Sequence, residues 1–530
     1  MLIDYSQADT PKDILCDICI VGAGPAGITL ALGLSSAGKD VVLLESGGTE
    51  AESGTQKLSE GEVTGLNYFP LNATRLRGLG GSTGHWSGWC GPMNELDFTE
   101  RGWIPHSGWP ITFSELSEHY DKAQEYCQLG RNAYLAQDWI SDFTELPDFE
   151  TDNLLPRVWQ FSSPPLHFGQ AYQQALEKLP TVAIYTHANV TNLNLDSSGR
   201  EIVSVDIATL NGKNGTLKAG QFVLACGGIE NPRLLLASND VSEKGIGNDN
   251  DLVGRFFMEH IEVESATITG FDGNQMRQLK RVRSQSGVEV GVAFCTPESK
   301  QKELEIGNGG AFIAAPPRIS KSNGWTAFLA YRDALLKARL PKNALDNLSQ
   351  LLVDFDTMAG VFALRLQGKE TNAILEKGSI DIISMAEQVP NPASRVTLSG
   401  KKDLLGNPQA NLNWQVTDLD KHTVQSTMEL IATEMSRLDI GRVKIEEWLQ
   451  AGSGSEWSPR LRGGHHHMGT TRMADSPTEG VVDKNCKVHG IDNLFIAGSS
   501  VFPTGGYVNP TLTIVALSIR MAEHLKSIRL

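Results

Sequence analysis

The sequence predicts an α/β protein with a Rossmann-like dinucleotide-binding unit near its N-terminus, and three observations carry that prediction. The apolar run ILCDICIV, residues 14–21, reads as a buried strand; it enters the glycine turn GAGPAG, residues 22–27; a helical pattern, ITLALGLSSAG, then leads to a second apolar strand, VVLLE, ending at Glu45. Strand, glycine turn, helix and strand is the order of a unit that sets a pyrophosphate against a helix N-terminus. Gly22 permits the tight turn, Gly24 lets the backbone approach the phosphates, and Gly27 lets helix and strand pack closely, with Pro25 and Ala26 in the same turn. Glu45 is placed to hold ribose hydroxyls, with Ser46 beside it. The motif alone does not choose between dinucleotides.

The pair Cys16 and Cys19 forms a CxxC inside the first strand. Alternation along a strand sends positions three apart to opposite faces, so core packing is expected rather than a redox or metal site.

The 530 residues exceed what one core holds, since single cores stop growing near roughly 250–300 residues, so a second domain is expected. Hydrophobic residues at 40% and charged residues at 20% describe an ordered globular enzyme. The net charge of -16, spread along the chain, argues against nucleic acid, which needs a concentrated basic surface. No apolar stretch approaches a membrane span, and MLIDYSQADTPKDILCDICIVGAG has no basic region followed by an apolar core and cleavage site. Seven scattered cysteines are not a disulfide framework. A cytoplasmic location follows as the expectation.

A second glycine cluster, RLRGLGGSTGHWSGWCGPMN at 75–94, has the composition of a loop that lays backbone along a phosphate or a flat ring while Trp86 and Trp89 pack on planar surfaces. Three further stretches follow along the chain: HANVTNL at 187–193, FVLACGGIENPRLLLAS at 222–238, and a C-terminal block from GGHHHMGTTRM through VHGIDNLFIAGSSVFPTGGYVNPTLTIVALSIRMAEHL. Together with GAGPAG these segments, in this order, resemble the glucose-methanol-choline (GMC) oxidoreductases, a family of FAD enzymes. The wording HMGT and NPTLT is similar to that of pyranose oxidases and bacterial sugar and polyol dehydrogenases.

The resemblance implies a GMC-type FAD-binding domain over 13–110, 170–261 and 456–530, and a substrate-binding domain over 111–169 and 262–455 built on a largely antiparallel sheet covered by helices. It places Gly22, Gly24, Pro25, Ala26, Gly27, Glu45 and Ser46 along the ADP part of FAD, and Arg77, Gly80, Gly81, Ser82, Trp86 and Ser87 over the pyrophosphate and isoalloxazine. Val190 matches a position that contacts adenine, and Ala225 and Gly227 belong to a second glycine turn. Gly498, Ser499, Asn509, Pro510 and Thr511 fall in the C-terminal block at the flavin. His85 aligns with a histidine that some members bond to the flavin 8α methyl; linked and unlinked FAD both stay open, since Gly84 and Trp86 depart from the pattern. In the middle of the chain, SIDIISMAEQ and SRVTLSG are assigned to the substrate-domain sheet. WTAFLAYRDALLKARL and NALDNLSQLLVDFDTMAGVFALRL are expected as amphipathic helices packed on it, with docking to a membrane or small subunit the less favoured role.

The family pattern names His466 as the catalytic base and Asn509 as its partner. The chemistry agrees. Oxidising an alcohol removes a proton from oxygen and a hydride from carbon; a neutral imidazole takes the proton near neutral pH, and an amide N–H steadies the growing alkoxide. The block NPTLTIVALSIRMAEHL is expected as a helix with Pro510 in its first turn. His260 is expected to be a structural hydrogen-bonding residue.

The implied activity is oxidation of a CH–OH group on a sugar, glycoside or related polyol. The implied acceptor is oxygen, a quinone or a redox protein, and homo-oligomerisation is compatible. A flavin-bearing lyase or an enzyme of non-sugar alcohols is the alternative. No metal is expected at the triple histidine, because three adjacent rings on an extended chain point alternately to opposite sides. On that reading His466 faces the flavin and His465 and His467 face away.

Overall fold

A computed structural model describes residues 1–142, 147–271, 287–314, 344–353, 379–450 and 456–528, together with a few short stretches between 279 and 334. Two sheets organise the chain. The first has eight strands in the order Leu2–Asp4, Val182–Thr186, Val41–Leu44, Asp13–Val21, Asn214–Leu224, Ile202–Ala208 and Asn189–Leu195, with Leu494–Ile496 also paired to Asn214–Leu224. All its pairings are parallel except those that Ile202–Ala208 makes with its two neighbours.

Register is what makes this sheet a binding platform. Val21 sits opposite both Leu44 and Leu224, and Leu224 sits opposite Ile496, so these strands stop at one level. The chain continues from them into Gly22, Glu45, Ala225 and Ala497, each tied to a neighbouring strand: Gly22 N to Leu44 O at 2.7 Å, Ala225 N to Val21 O at 2.7 Å, Ala497 N to Leu224 O at 2.7 Å. Carboxyl ends of parallel strands are where ligands settle in open α/β sheets. Cys16 and Cys19 lie in Asp13–Val21 and are both buried and unoxidised, with their thiol pKa values raised by burial.

The second sheet has nine strands, all antiparallel: Arg442–Ile445, His260–Thr269, Ser379–Glu387, Gly310–Ile313, Glu289–Cys295, Leu155–Phe161 and Trp89–Cys90 in order, with Val282–Arg283 and Arg462–Gly463 attached. The helix Asp418–Arg437 packs on it, started by a reciprocal cap in which Thr417 and Asp420 satisfy each other's backbone N–H groups.

SRVTLSG does not join this sheet. Arg395–Lys402 instead pairs with Pro408–Asn413, which pairs in parallel with Gly61–Val63, making a separate three-stranded sheet that links the chain near 61 to the chain near 410. Its alternating pattern specifies a half-buried strand but not which sheet receives it. SIDIISMAEQ forms Ser379–Glu387 inside the large sheet. Trp89–Cys90 and Arg462–Gly463, drawn from ranges assigned to the cofactor domain, also pair into the antiparallel sheet. The segment 325–340 lies almost wholly outside the described residues; of the second expected helix, Ala344–Val353 is helical and 354–366 lies outside them. Among the described residues no helix is long and apolar enough to cross a membrane.

Candidate active site

One cavity of about 510 Å³ runs over the carboxyl ends of the parallel strands and reaches the antiparallel sheet at Phe312 and Met385. At its sheet end, the glycine turn has the shape its spacing predicts. Gly22 has φ +103°, and a Cβ there would stand 2.7 Å from Ala225 O; a Cβ on Gly27 would stand 2.0 Å from Gly22 O. Gly24, by contrast, has open space where a side chain would be, and it lines the cavity with Pro25 and Ala26. The helix Pro25–Leu34 therefore offers its N-terminus across an unobstructed backbone.

Glu45 is buried and accepts N–H bonds from Ala23 at 2.8 Å and from Gly47 at 3.0 Å. Burial raises its pKa, and those bonds with the Arg77 charge pull it back. Arg77 ties the second glycine segment down, donating to Ser46 Oγ, Ser59 Oγ and Glu230 Oε1, each at 2.9 Å. Trp86 fixes its indole by donating to Leu166 O at 2.7 Å.

The two expected catalytic side chains meet at the opposite end. Asn509 Nδ2 lies 2.9 Å from His466 Nε2, and His466 Nδ1 lies 2.8 Å from Nδ1 of the fully buried His260, whose Nε2 faces Gly505 O at 3.4 Å. The protons in this row follow from its far end. A carbonyl only accepts, so His260 carries its proton on Nε2 and offers a bare Nδ1. His466 must then carry its proton on Nδ1, which leaves the Nε2 lone pair facing Asn509 and the cavity. Burial, reinforced by the imidazoles of His260, His467 and His465, holds His466 well below the ordinary histidine pKa. Burial likewise lowers His260 to about 4. Both rings are neutral at physiological pH.

The loop carrying His466 is held from below. Its backbone N–H donates to Glu259 Oε2 at 2.8 Å; the other oxygen of that buried carboxyl takes the Tyr68 hydroxyl, which lies 3.0 Å from His467 Nε2. Burial pushes Glu259 up to about 8, against the pull of its hydrogen bonds. The triple histidine thus does not alternate as an extended strand would. His465 has φ +61°, the left-handed region, so the three rings take three directions: His465 edge-on to Phe69 at 4.5 Å, His466 to Asn509, His467 to Tyr68. All three residues border the cavity, which corrects the expectation that His465 and His467 face away. Among the described residues no group of three or more metal-binding side chains converges.

Twenty predicted residues line this cavity alongside Asn509: His466, Gly22, Gly24, Pro25, Ala26, Glu45, Ser46, Arg77, Gly81, Ser82, His85, Trp86, Ser87, Val190, Ala225, Gly227, Gly498, Ser499, Pro510 and Thr511. Gly27 and Gly80 do not line it and serve packing instead, since a Cβ on Gly80 would meet Gly169 N at 2.5 Å. Pro510 caps the helix Thr511–Ser527 rather than lying inside its first turn, so Asn509 is not the cap and its side chain is free for His466. Sequence reasoning missed Arg75, Glu230 and Glu262, which also line the cavity. Arg75 and Glu230 stand inside quoted segments, and an ion pair between those segments was the available signal.

Residues 390–518 match the family model described as GMC oxidoreductase, and residues 17–245 match the one described as FAD dependent oxidoreductase. The chain thus carries a GMC oxidoreductase C-terminal domain together with an FAD-dependent oxidoreductase domain. It is similar to the fructose dehydrogenase large subunit of Gluconobacter japonicus, 23% identical with 97% of this chain and 98% of that protein covered. It is also similar to 2-methyl-1,2-propanediol dehydrogenase of Mycolicibacterium austroafricanum, 24% identical with 96% and 95% covered. Its fold matches that of pyridoxine 4-oxidase from Mesorbium loti, with a TM-score of 0.57, 17% identity, and 97% and 100% of the two chains covered.

The protein uses FAD and acts on CH–OH donors. Its own residues fit the cofactor. The open backbone at Gly24, the positive-φ glycines Gly227 and Gly498 with no atom where a Cβ would be, and the buried Asn509 Oδ1, without a hydrogen-bond partner among the described residues, make a polar cradle with room for a dinucleotide.

Proposed function

We propose that this protein is a GMC oxidoreductase that oxidises an alcohol on a sugar, glycoside or related polyol, with His466 Nε2 as the base and Asn509 as the donor to the developing alkoxide. The observation that carries this reading is the 2.9 Å contact between His466 Nε2 and Asn509 Nδ2 in the cavity wall, with the lone pair on the imidazole side. A substrate hydroxyl entering between the two would replace their mutual bond with two: its oxygen accepts from Asn509 N–H, and its hydrogen points at Nε2. As the proton passes to Nε2, the charge on the imidazolium is shared with His260 through the Nδ1–H bond already in place. Bound FAD supplies the oxidant that takes up the hydride leaving carbon. The acceptor that reoxidises it is oxygen, a quinone or a redox protein.

The test is the visible spectrum of the purified holoenzyme, recorded anaerobically while sugars, glycosides, polyols and simple alcohols are added in turn. Bleaching by carbohydrate alcohols ahead of simple alkanols is expected; bleaching by none would sink the reading, and the colour return on admitting air separates oxidase from dehydrogenase.

His85 supports a second, smaller proposal, that FAD is bonded to this ring: a ring nitrogen would take the place of one hydrogen of the flavin 8α methyl, and the two electrons and two protons released would go to the acceptor that reoxidises the flavin. The imidazole borders the cavity, makes no side-chain hydrogen bond among the described residues, and is held below its usual pKa by burial, so it is a neutral ring with a free lone pair. Acid precipitation should therefore carry the yellow colour into the pellet. Colour left wholly in the supernatant excludes the bond.

A further inference from the structure

The wall beside His466 carries a carboxyl that this chemistry leaves unused. On the strand His260–Thr269, His260 and Glu262 flank the buried Ile261, so both side chains leave the face opposite to it. His260 reaches His466. Glu262 reaches the space beside Gly464: a Cβ on that glycine would stand 2.6 Å from His466 Nδ1 and 2.7 Å from Glu262 Oε1. The absent side chain at Gly464 is what allows carboxyl and imidazole to flank one point of the cavity.

Three carboxyls line the cavity, and the protein answers two of them. Glu230 is held by arginines and Glu45 by backbone N–H groups. Glu262 receives no hydrogen bond among the described residues; its cross-strand neighbour Arg462 is solvent-exposed and makes no bond to it. Burial raises Glu262 to about 7 while Arg462 draws it down, so an ionised fraction is available near neutrality. Around it, His465, His466 and His467 are all held below their usual pKa by burial and offer no compensating charge. A half-buried carboxylate without a partner is costly, and a cation brought by a ligand removes that cost.

We propose that Glu262 is the counter-ion for an ammonium group on the substrate, so that the preferred alcohols are amino sugars or related amino alcohols. This rests on the reading that alcohols are oxidised at His466. An ammonium held there also lowers the cost of drawing a proton from a nearby hydroxyl, because it opposes the charge left on oxygen. Glu262 is then a specificity residue and His466 remains the base.

The experiment is isothermal titration of the oxidised holoenzyme with D-glucose, its 2-, 3- and 6-amino-deoxy derivatives, and their N-acetylated forms, repeated on E262Q and E262D. At least one amino sugar should bind about tenfold or more tightly than D-glucose, as a charge-assisted hydrogen bond implies. Its N-acetylated form should lose that advantage. In E262Q the ratio should fall to near one, and E262D, which keeps the charge, should keep part of it. The proposal is overturned if no amino sugar outbinds glucose, if the acetylated form binds equally well, or if the preference survives E262Q. Should E262Q fail to hold its flavin, the comparison of amino with acetylated sugars on the unsubstituted protein decides alone. Alcohol oxidation is judged separately by bleaching: sugars that bind with the stated preference but bleach nothing would refute the reaction and leave the counter-ion standing.

Discussion

Replacing His466 by Ala is expected to slow anaerobic reduction of the bound flavin by about 10²- to 10⁴-fold, the usual worth of a positioned general base. The flavin content of the protein should not change, because His466 enters the cavity from the side of the antiparallel sheet and takes no part in the glycine cradle. Stopped-flow absorbance at saturating substrate makes the measurement, and reduction at an undiminished rate would show that another group takes the proton. The pH profile adds a second reading. Burial and the neighbouring rings depress the pKa of His466, so its base form persists through neutrality into acid. With a neutral alcohol as substrate, which makes no demand on the Glu262 charge, the rate constant for reduction at low substrate should accordingly stay flat as pH falls through the ordinary histidine value near 6.5 and decline only below it. An isolated, solvated imidazole would lose half its activity at that value.

The arrangement that makes His466 a base was only partly legible in the sequence. Local rules read the glycine turn well, because each glycine answers a nearby steric demand: Gly22 against Ala225 O, Gly27 against Gly22 O. The helix Thr511–Ser527 and the strands on either side of GAGPAG follow from periodicity for the same reason. What the sequence left hidden is set by distant pairings. His260 is 206 positions from His466, and nothing local announces that their Nδ1 atoms meet at 2.8 Å or that Gly505 O fixes the tautomer of both.

The triple histidine shows a different limit. Alternation was the right rule for an extended chain, but one residue in the left-handed region at His465 cancels it, and histidine's modest enrichment in that conformation does not say which of three adjacent histidines adopts it. SRVTLSG shows a third: a strand's pattern fixes its faces while its partner depends on where the chain near Gly61 has been delivered.

Glu230 gives the second large effect, on stability and cofactor retention rather than on chemistry. Its carboxylate takes Arg75 Nη1 at 3.1 Å, Arg77 Nη2 at 2.9 Å and Arg233 through Nε at 2.9 Å and Nη2 at 2.6 Å, so one anion holds three buried or nearly buried guanidinium groups. Two of those arginines belong to the second glycine segment, while Glu230 and Arg233 belong to the helix Gly227–Ala237, so the cluster clamps two walls of the cavity together. Glu230→Gln removes the anion and leaves three like charges facing one another. Losing one partner of a buried pair costs about 3–5 kcal/mol, and here three cations lose the same partner. Guanidinium-induced unfolding of the flavin-loaded protein should show a loss at or above that range, accompanied by release of FAD at lower denaturant. The pH dependence has a definite sign. Despite burial, which raises it, the three arginine charges hold the Glu230 pKa well below its ordinary value. The stability it contributes is therefore complete above the unfolded glutamate value of about 4.3 and is lost as pH falls through the lower folded value. The difference between the unsubstituted protein and E230Q should be constant from neutral pH down to that point and shrink below it. A difference under about 1 kcal/mol at pH 7 would mean that the arginines find other partners and that the clamp is not what joins the two walls.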